Sequence, residues 1–193
     1  MQEKQLENLI SANRSYRRFK QDVVVETSTL RELVNLARLS ASAANLQPLK
    51  YILVNETDQT AQVFDTLGWA GYLKEWKGPQ EGERPAAYII ILKDTEIAKK
   101  AQYDTGIAAQ SILLGARARG LGGCLFGSVR RTKLRAAFQI PERYEIMLVL
   151  ALGKPVEQVQ VDPLGTDKSI KYWRDEEGVH HVPKRSLDEI ILA

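Results

Sequence analysis

Among 193 residues there is one cysteine, Cys124, so the chain can close no disulfide on itself, and a reducing compartment is its expected setting. Histidine is nearly as scarce. The only two, His180 and His181, are neighbours in the chain, and on a strand neighbouring side chains point to opposite faces. With no other spaced His or Cys ligands, a metal site is not expected. No apolar run approaches the roughly 18 residues that a membrane span needs, and the N-terminus, MQEKQLENLI, is polar and unlike a signal peptide. No block of Lys and Arg with interleaved aromatics accompanies the formal charge of +3, so nucleic acid is not an expected partner. Internal repeats and low-complexity tracts are absent. Gly120-Leu121-Gly122-Gly123 lacks both the GxGxxG spacing and a preceding strand, which argues against a dinucleotide fingerprint. A cytoplasmic protein is the expectation.

The composition that remains is globular, 44% hydrophobic and 26% charged, and the length suggests one domain over residues 1–193. The chain is organised around Tyr103–Ser128. Ile107, Ala108, Ala109, Ile112, Leu113, Leu114, Ala116 and Ala118 cover nearly every face of a helix, which marks a core helix. Asp104 is read as its N-cap and Gly120 as its C-cap. Four glycines between positions 120 and 127 then allow a turn into a strand, or a close approach of main chain to a flat ligand.

Elsewhere, residues 2–12 read as a short amphipathic helix, and Thr27–Leu39 as a second, with Thr29 and Glu32 as a capping box. Tyr51–Val54 is a strand, and Val63, Phe64 and Leu67 mark a third helix. Trp69, Tyr72 and Trp76 suit either a lid over a planar substrate or one helix face. Lys77–Pro85 reads as an exposed loop near a site mouth. Ala86–Leu92 and Ile146–Leu152 are continuous apolar runs of strand length, hence central strands. Lys133–Phe138 is a short helix, Val156–Ile170 is loop, and Lys171–Val182 is a hairpin around Glu177-Gly178. The apolar tail Leu187–Leu192 needs a surface to cover it. Helices and strands alternate without a βαβ rhythm, which favours an α+β or three-layer arrangement.

Three clusters carry chemistry. Arg14, Ser15, Arg17 and Arg18 follow the first helix, and guanidinium groups with a hydroxyl suit a phosphate, although such a cluster also occurs as solvated surface. Ser42, Ala43, Asn45 and Gln47 precede Pro48 and a strand. Their carboxamides suit the donor–acceptor edge of a pyrimidine-like ring, and the same residues also suit a plain helix-to-strand turn. Lys184 and Arg185 close the chain with a late basic pair.

RSxR after a first helix, SAxNLQP before a strand, DxGIAAQ leading into GLGxxxxG, ALGKP at a strand end, and the late KR occur here in one order. From about Leu6 to Ile191 this pattern resembles the nitroreductase family of flavin-dependent oxidoreductases. The resemblance implies an α+β fold with a mixed, mainly antiparallel sheet surrounded by helices, in an intertwined homodimer that holds FMN at its interface. It implies hydride transfer from NADH or NADPH through FMN to nitroaromatics, quinones or similar small acceptors, with no catalytic side chain. A specialised flavoenzyme of the same fold, such as a reductive dehalogenase or a flavin-consuming type, and a flavin-binding redox sensor without turnover are its alternatives. By the same resemblance Arg14 and Ser15 would bind phosphate or ribityl, and Arg17 would reach the flavin's pyrimidine edge. Ser42, Ala43, Asn45 and Gln47 would come from the other subunit. Leu125, Phe126, Gly127 and Ser128 would line the ring, and Lys184 and Arg185 would complete the phosphate site. Asn13, Ala41, Ala44 and Leu49 depart from the family's usual residues.

Overall fold

A computed structural model describes residues 3–192. The two apolar runs are the middle of the main sheet. β3 (Ala87–Asp94) and β5 (Tyr144–Pro155) pair antiparallel, with a register shift between Ile91 and Leu92. β2 (Leu49–Val54) flanks β3, and β4 (Gly122–Phe126) flanks β5. β1 (Phe19–Lys20) caps the far end of β5 at Lys154 and Pro155. Every residue of β3 is buried. Its alternation sends Ala87, Ile89 and Ile91 to one core, and Tyr88, Ile90 and Leu92 to a second core on the other face. A strand buried on both faces needs such an unbroken apolar run.

Helices cover both faces. α2 (Thr27–Leu39) and α4 (Gln102–Ala118) close the first core through Leu30, Leu33, Ala109 and Ile112. α3 (Thr57–Phe64) and α5 (Arg131–Ala137) close the second through Val63 and Leu134. α1 (Glu3–Ala12) packs outside α4. A second, smaller sheet holds β8 (His180–Lys184) between β6 (Val159–Pro163), parallel to it, and β7 (Trp173–Arg174), antiparallel. The arrangement is three-layered, and apart from the β6–β8 pair its named strand pairings are antiparallel. Among the described residues no helix is long and apolar enough to cross a membrane.

Several local expectations change. Asp104 is not the N-cap of α4. That position is Ala101, and Asp104 lies inside the first turn, buried. The Thr29–Glu32 capping box does not form either. α2 starts at Thr27 after Glu26, and Glu32 pairs with Arg119 instead. Part of Val156–Ile170 is not loop but β6, whose alternating polar sequence VQVDP carries little apolar signal. Residues 68–77 form turns rather than a helix, so the helix-face reading of Trp69, Tyr72 and Trp76 fails. Trp69 packs on Phe64 and Phe126 with ring centroids 5.3 and 4.7 Å away. The hairpin at Gly178 forms, with φ at +81° there.

Gly120 does close α4. Its φ is +72°, its N–H donates to Arg117, and the next N–H, of Leu121, donates to Ala116. Those two bonds satisfy carbonyls that the helix end leaves free. The glycines that follow serve packing. A Cβ on Gly123 would lie 2.6 Å from the Ala151 carbonyl oxygen, and one on Gly122 would lie 2.6 Å from the Tyr16 ring. β4 can therefore lie close against β5 and the Tyr16 turn only with glycine at these places.

Candidate cofactor site

Tyr16 donates its N–H to the Gly123 carbonyl, and Ser15 bridges Gly123, so the RSYR turn is sewn onto the start of β4. A cavity of about 360 Å³ opens there, lined by Asn13, Arg14, Ser15, Arg17, Gln110, Leu113, Gly123, Leu125, Tyr172, His180, Val182 and Lys184. Three expected clusters thus meet: the first arginine motif, the glycine-rich strand and the late basic motif. The period of two along each strand decides what enters. On β8, His180, Val182 and Lys184 line the cavity, while Arg185 lies beyond the strand end and pairs with Glu189 at 3.2 Å. On β4, Leu125 is exposed and lines the cavity, while Phe126 turns to the opposite core against Trp69. Gly127 and Ser128 are exposed beyond the strand and do not line it.

The lining has a sign. Arg14, Arg17 and Lys184 bring three positive charges to one cavity, and none of its lining residues is Asp or Glu. Among the described residues none of these three cations makes an ion pair. Arg14 donates only to the carbonyls of Asn13 and Ile10. Arg17 is buried. Its Nη1 donates to the Ser15 carbonyl at 3.3 Å and sits 3.2 Å from His180 Nε2, and its guanidinium lies 4.9 Å from the centre of the Tyr172 ring. Its backbone N–H is held by Glu157, whose side chain is fully buried and whose other oxygen pairs with Arg174 at 3.4 Å. Burial pushes the Glu157 carboxyl up, and the Arg174 charge opposes that shift.

Ser42, Ala43, Asn45 and Gln47 lie elsewhere in the chain. Ser42 and Gln47 line a separate pocket of about 170 Å³ with Tyr51 and Asp104. Ala43, Asn45 and Gln47 are exposed. Ala44, Asn45 and Gln47 all have positive φ, at 48°, 54° and 51°. Strain of this kind costs about 1–3 kcal/mol per residue and concentrates at functional segments. Asp104 holds the segment in place, accepting from Ser42 Oγ at 2.6 Å and from the Ala43 N–H at 3.1 Å, while Ser42 Oγ accepts from the Gln47 N–H. The carboxylate expected to cap a helix is thus the anchor of this strained turn.

Gln110, Leu113, Tyr172, His180 and Val182 line the cavity without having been expected there, and Asn13, which departs from the family's usual residue at the expected phosphate site, lines it as well. Gln110 had a signal, since with Ser111 it interrupts the apolar stretch Ile107–Ala116 of α4. His180 had a weaker one, two residues from Val182 and four from Lys184 on a strand. The two histidines do face opposite ways. His180 is buried beside Arg17, whereas His181 lies between Asp162 at 2.7 Å and Asp175 at 3.1 Å. Among the described residues no group of three or more His, Cys, Asp or Glu is placed to hold a metal ion.

Burial, then the Arg17 and Arg174 charges, push the His180 imidazole from its ordinary 6.5 down to about 4. Hydrogen bonds to Asp175 and Asp162 raise that of His181. His180 therefore contributes stability that is present above pH 6.5 and lost as the pH falls toward 4. His181 contributes stability that is present below 6.5 and lost as the pH rises through its raised value. An NMR titration of the two imidazoles should show one ring still neutral at pH 5 and the other titrating above its ordinary 6.5. Two overlapping transitions near 6.5 would contradict the placement of both.

The profile of the nitroreductase family matches residues 10–154. The chain is 26% identical over 172 residues to an NADPH-flavin oxidoreductase of Vibrio harveyi, covering 80% of this chain and 67% of that one. It is 24% identical over 157 residues to an FMN reductase (NADPH) of Bacillus subtilis, covering 74% of this chain and 63% of that one. A solved nitroreductase family protein from Clostridium novyi NT superposes with a TM-score of 0.63 at 19% identity, covering 95% of this chain and 97% of that one.

Proposed function

The chain belongs to the nitroreductase family, and from that premise we propose that it is an FMN-dependent oxidoreductase using NADH or NADPH and a small organic acceptor, such as a nitroaromatic or a quinone. The observation that carries this reading is the cavity with three unpaired cations and no carboxylate. Like charges brought together repel unless an anion joins them, and a phosphomonoester dianion needs several charge-assisted donors. The donor set therefore fits FMN. Arg14, Lys184 and the exposed Ser15 hydroxyl would hold the phosphate and ribityl chain. Arg17, fixed in the wall, would set a positive charge at the electron-rich pyrimidine edge. Leu125 and Leu113 would supply apolar contact for the ring.

When bound, FMN would supply the hydride chemistry between nicotinamide and acceptor, in the proposed ping-pong sequence. The side chains bind, orient and supply charge, and none is assigned as an acid, base or nucleophile. The Ser42–Gln47 turn does not reach this cavity within one chain. In the proposed assembly it comes from a second copy, in an intertwined homodimer. The exposed apolar side chains of Leu187, Ile190, Ile191 and Leu192 are consistent with a covering partner.

FMN, and not FAD, should co-purify, because the cavity has one cation cluster and no adenosine motif accompanies it. Release of the chromophore and its chromatographic identification check this, and a colourless protein that FMN cannot reconstitute would sink the reading. Addition of NADH or NADPH should bleach the bound flavin within seconds, whereas a flavin binder without turnover would stay yellow. Light scattering at low micromolar concentration should give twice the chain mass. A monomer that keeps its flavin would contradict the shared site.

A further inference from the structure

The contact between Arg17 and His180 joins residues 163 positions apart at the cavity wall. A guanidinium can only donate, so His180 Nε2, 3.2 Å from Arg17 Nη1, is the acceptor. The proton of the neutral ring then sits on Nδ1, which is buried and, among the described residues, has no hydrogen-bond partner. Tyr172 closes the group, its ring 5.2 Å from the imidazole and 4.9 Å from the guanidinium carbon. Arg17 is thus fixed by a carbonyl, an imidazole and an aromatic face, none of which carries negative charge. A buried arginine is more often paired with a carboxylate. The nearby carboxylate, Glu157, takes the Arg17 backbone N–H and pairs with Arg174 instead.

We propose that His180 is the positioning residue for Arg17, an uncharged acceptor that holds the guanidinium at the cavity wall and leaves its positive charge available to a bound anion. The identity of that anion rests on the FMN reading, but the contact does not. His180 is 1% exposed, and the cations around it, Arg17 and Arg174, together with His181, oppose its protonation. A charged imidazole would lose its role as acceptor, so the same surroundings that suppress its charge preserve the contact.

The test begins with the apoprotein. Long-range ¹H–¹⁵N spectra should show His180 protonated on Nδ1, and Arg17→Met should shift its Nε2 resonance. A ring protonated on Nε2, or one indifferent to Arg17→Met, overturns the proposal. The FMN-loaded protein then separates positioning from mere packing, read as the ratio of dissociation constants for oxidised and reduced FMN. His180→Gln keeps a neutral acceptor, and its ratio should stay within about twofold of the parent's. His180→Glu would pair with Arg17, and its ratio should fall by about tenfold, the change expected for roughly one charge-assisted contact. If the Glu variant does not fold, His180→Leu takes its place, with a smaller fall in the same direction. Equal losses for both flavin forms, with the ratio unchanged, overturn the proposal. If no flavin binds at all, the FMN reading fails and inorganic phosphate added to the apoproteins decides. Weaker binding to the Glu variant than to the Gln variant supports the proposal, and equal binding overturns it.

Discussion

Arg17→Gln is expected to lower the reduction potential of bound FMN while oxidised FMN still binds. Reduction adds negative charge at the pyrimidine edge of the flavin, and the buried, unpaired guanidinium of Arg17 lines the cavity where that edge is proposed to lie. A charge-assisted contact made chiefly with the reduced form is worth roughly 1–3 kcal/mol. For a two-electron couple, with about 30 mV per 1.4 kcal/mol, that corresponds to about 20–65 mV. Lys184→Gln and Arg14→Gln should behave differently, weakening FMN in both redox states because each removes a proposed phosphate contact. Arg185→Gln should do less than either, since Arg185 pairs with Glu189 outside the cavity. Midpoint potentials and FMN dissociation constants of the four variants separate these roles. If Arg17→Gln loosens FMN and leaves the potential unchanged, Arg17 belongs with the phosphate ligands.

Glu157→Ala should produce the largest loss of stability. The Glu157 side chain is fully buried, takes the Arg17 backbone N–H at 3.2 Å and pairs with Arg174 at 3.4 Å. Arg174 in turn lies over the Trp76 ring, 4.3 Å from its centre. Removing the carboxylate leaves the Arg174 guanidinium without its partner, and breaking a buried pair in this way costs roughly 3–5 kcal/mol. Arg174 keeps 17% of its side-chain exposure, so solvent takes up part of that loss and about 3 kcal/mol is expected. Glu157→Gln should cost less, because an amide oxygen can still accept from Arg17. Urea unfolding of the flavin-free proteins measures both. Equal stability of the Ala variant and the parent would show that the pair is not formed in solution. The same substitution should weaken FMN binding, since Glu157 also fixes the backbone of the turn that carries Arg14, Ser15 and Arg17.

The sequence by itself determined the layers. Runs such as AYIIIL and IMLVLAL point to central strands, and the apolar α4 with Gly120 behind it to a core helix closed by a left-handed residue, although Ile107 on its outer face stays exposed. It also assembled the basic and small-residue clusters, because the chemistry of an anion site is carried by residue type. Tertiary structure decided which of those residues meet. Lys184 rather than Arg185 lines the cavity because β8 ends at Lys184, and Leu125 rather than Phe126 because strand register, set by pairing with a distant segment, assigns alternate residues to opposite faces. Asp104 became the anchor of the Ser42 turn and His180 the partner of Arg17 across chain separations of 62 and 163 residues. A local hydrophobic period reports which face of an element is buried. It carries no information about which distant polar atom will stand within hydrogen-bond reach, and those contacts fix Arg17 in this protein.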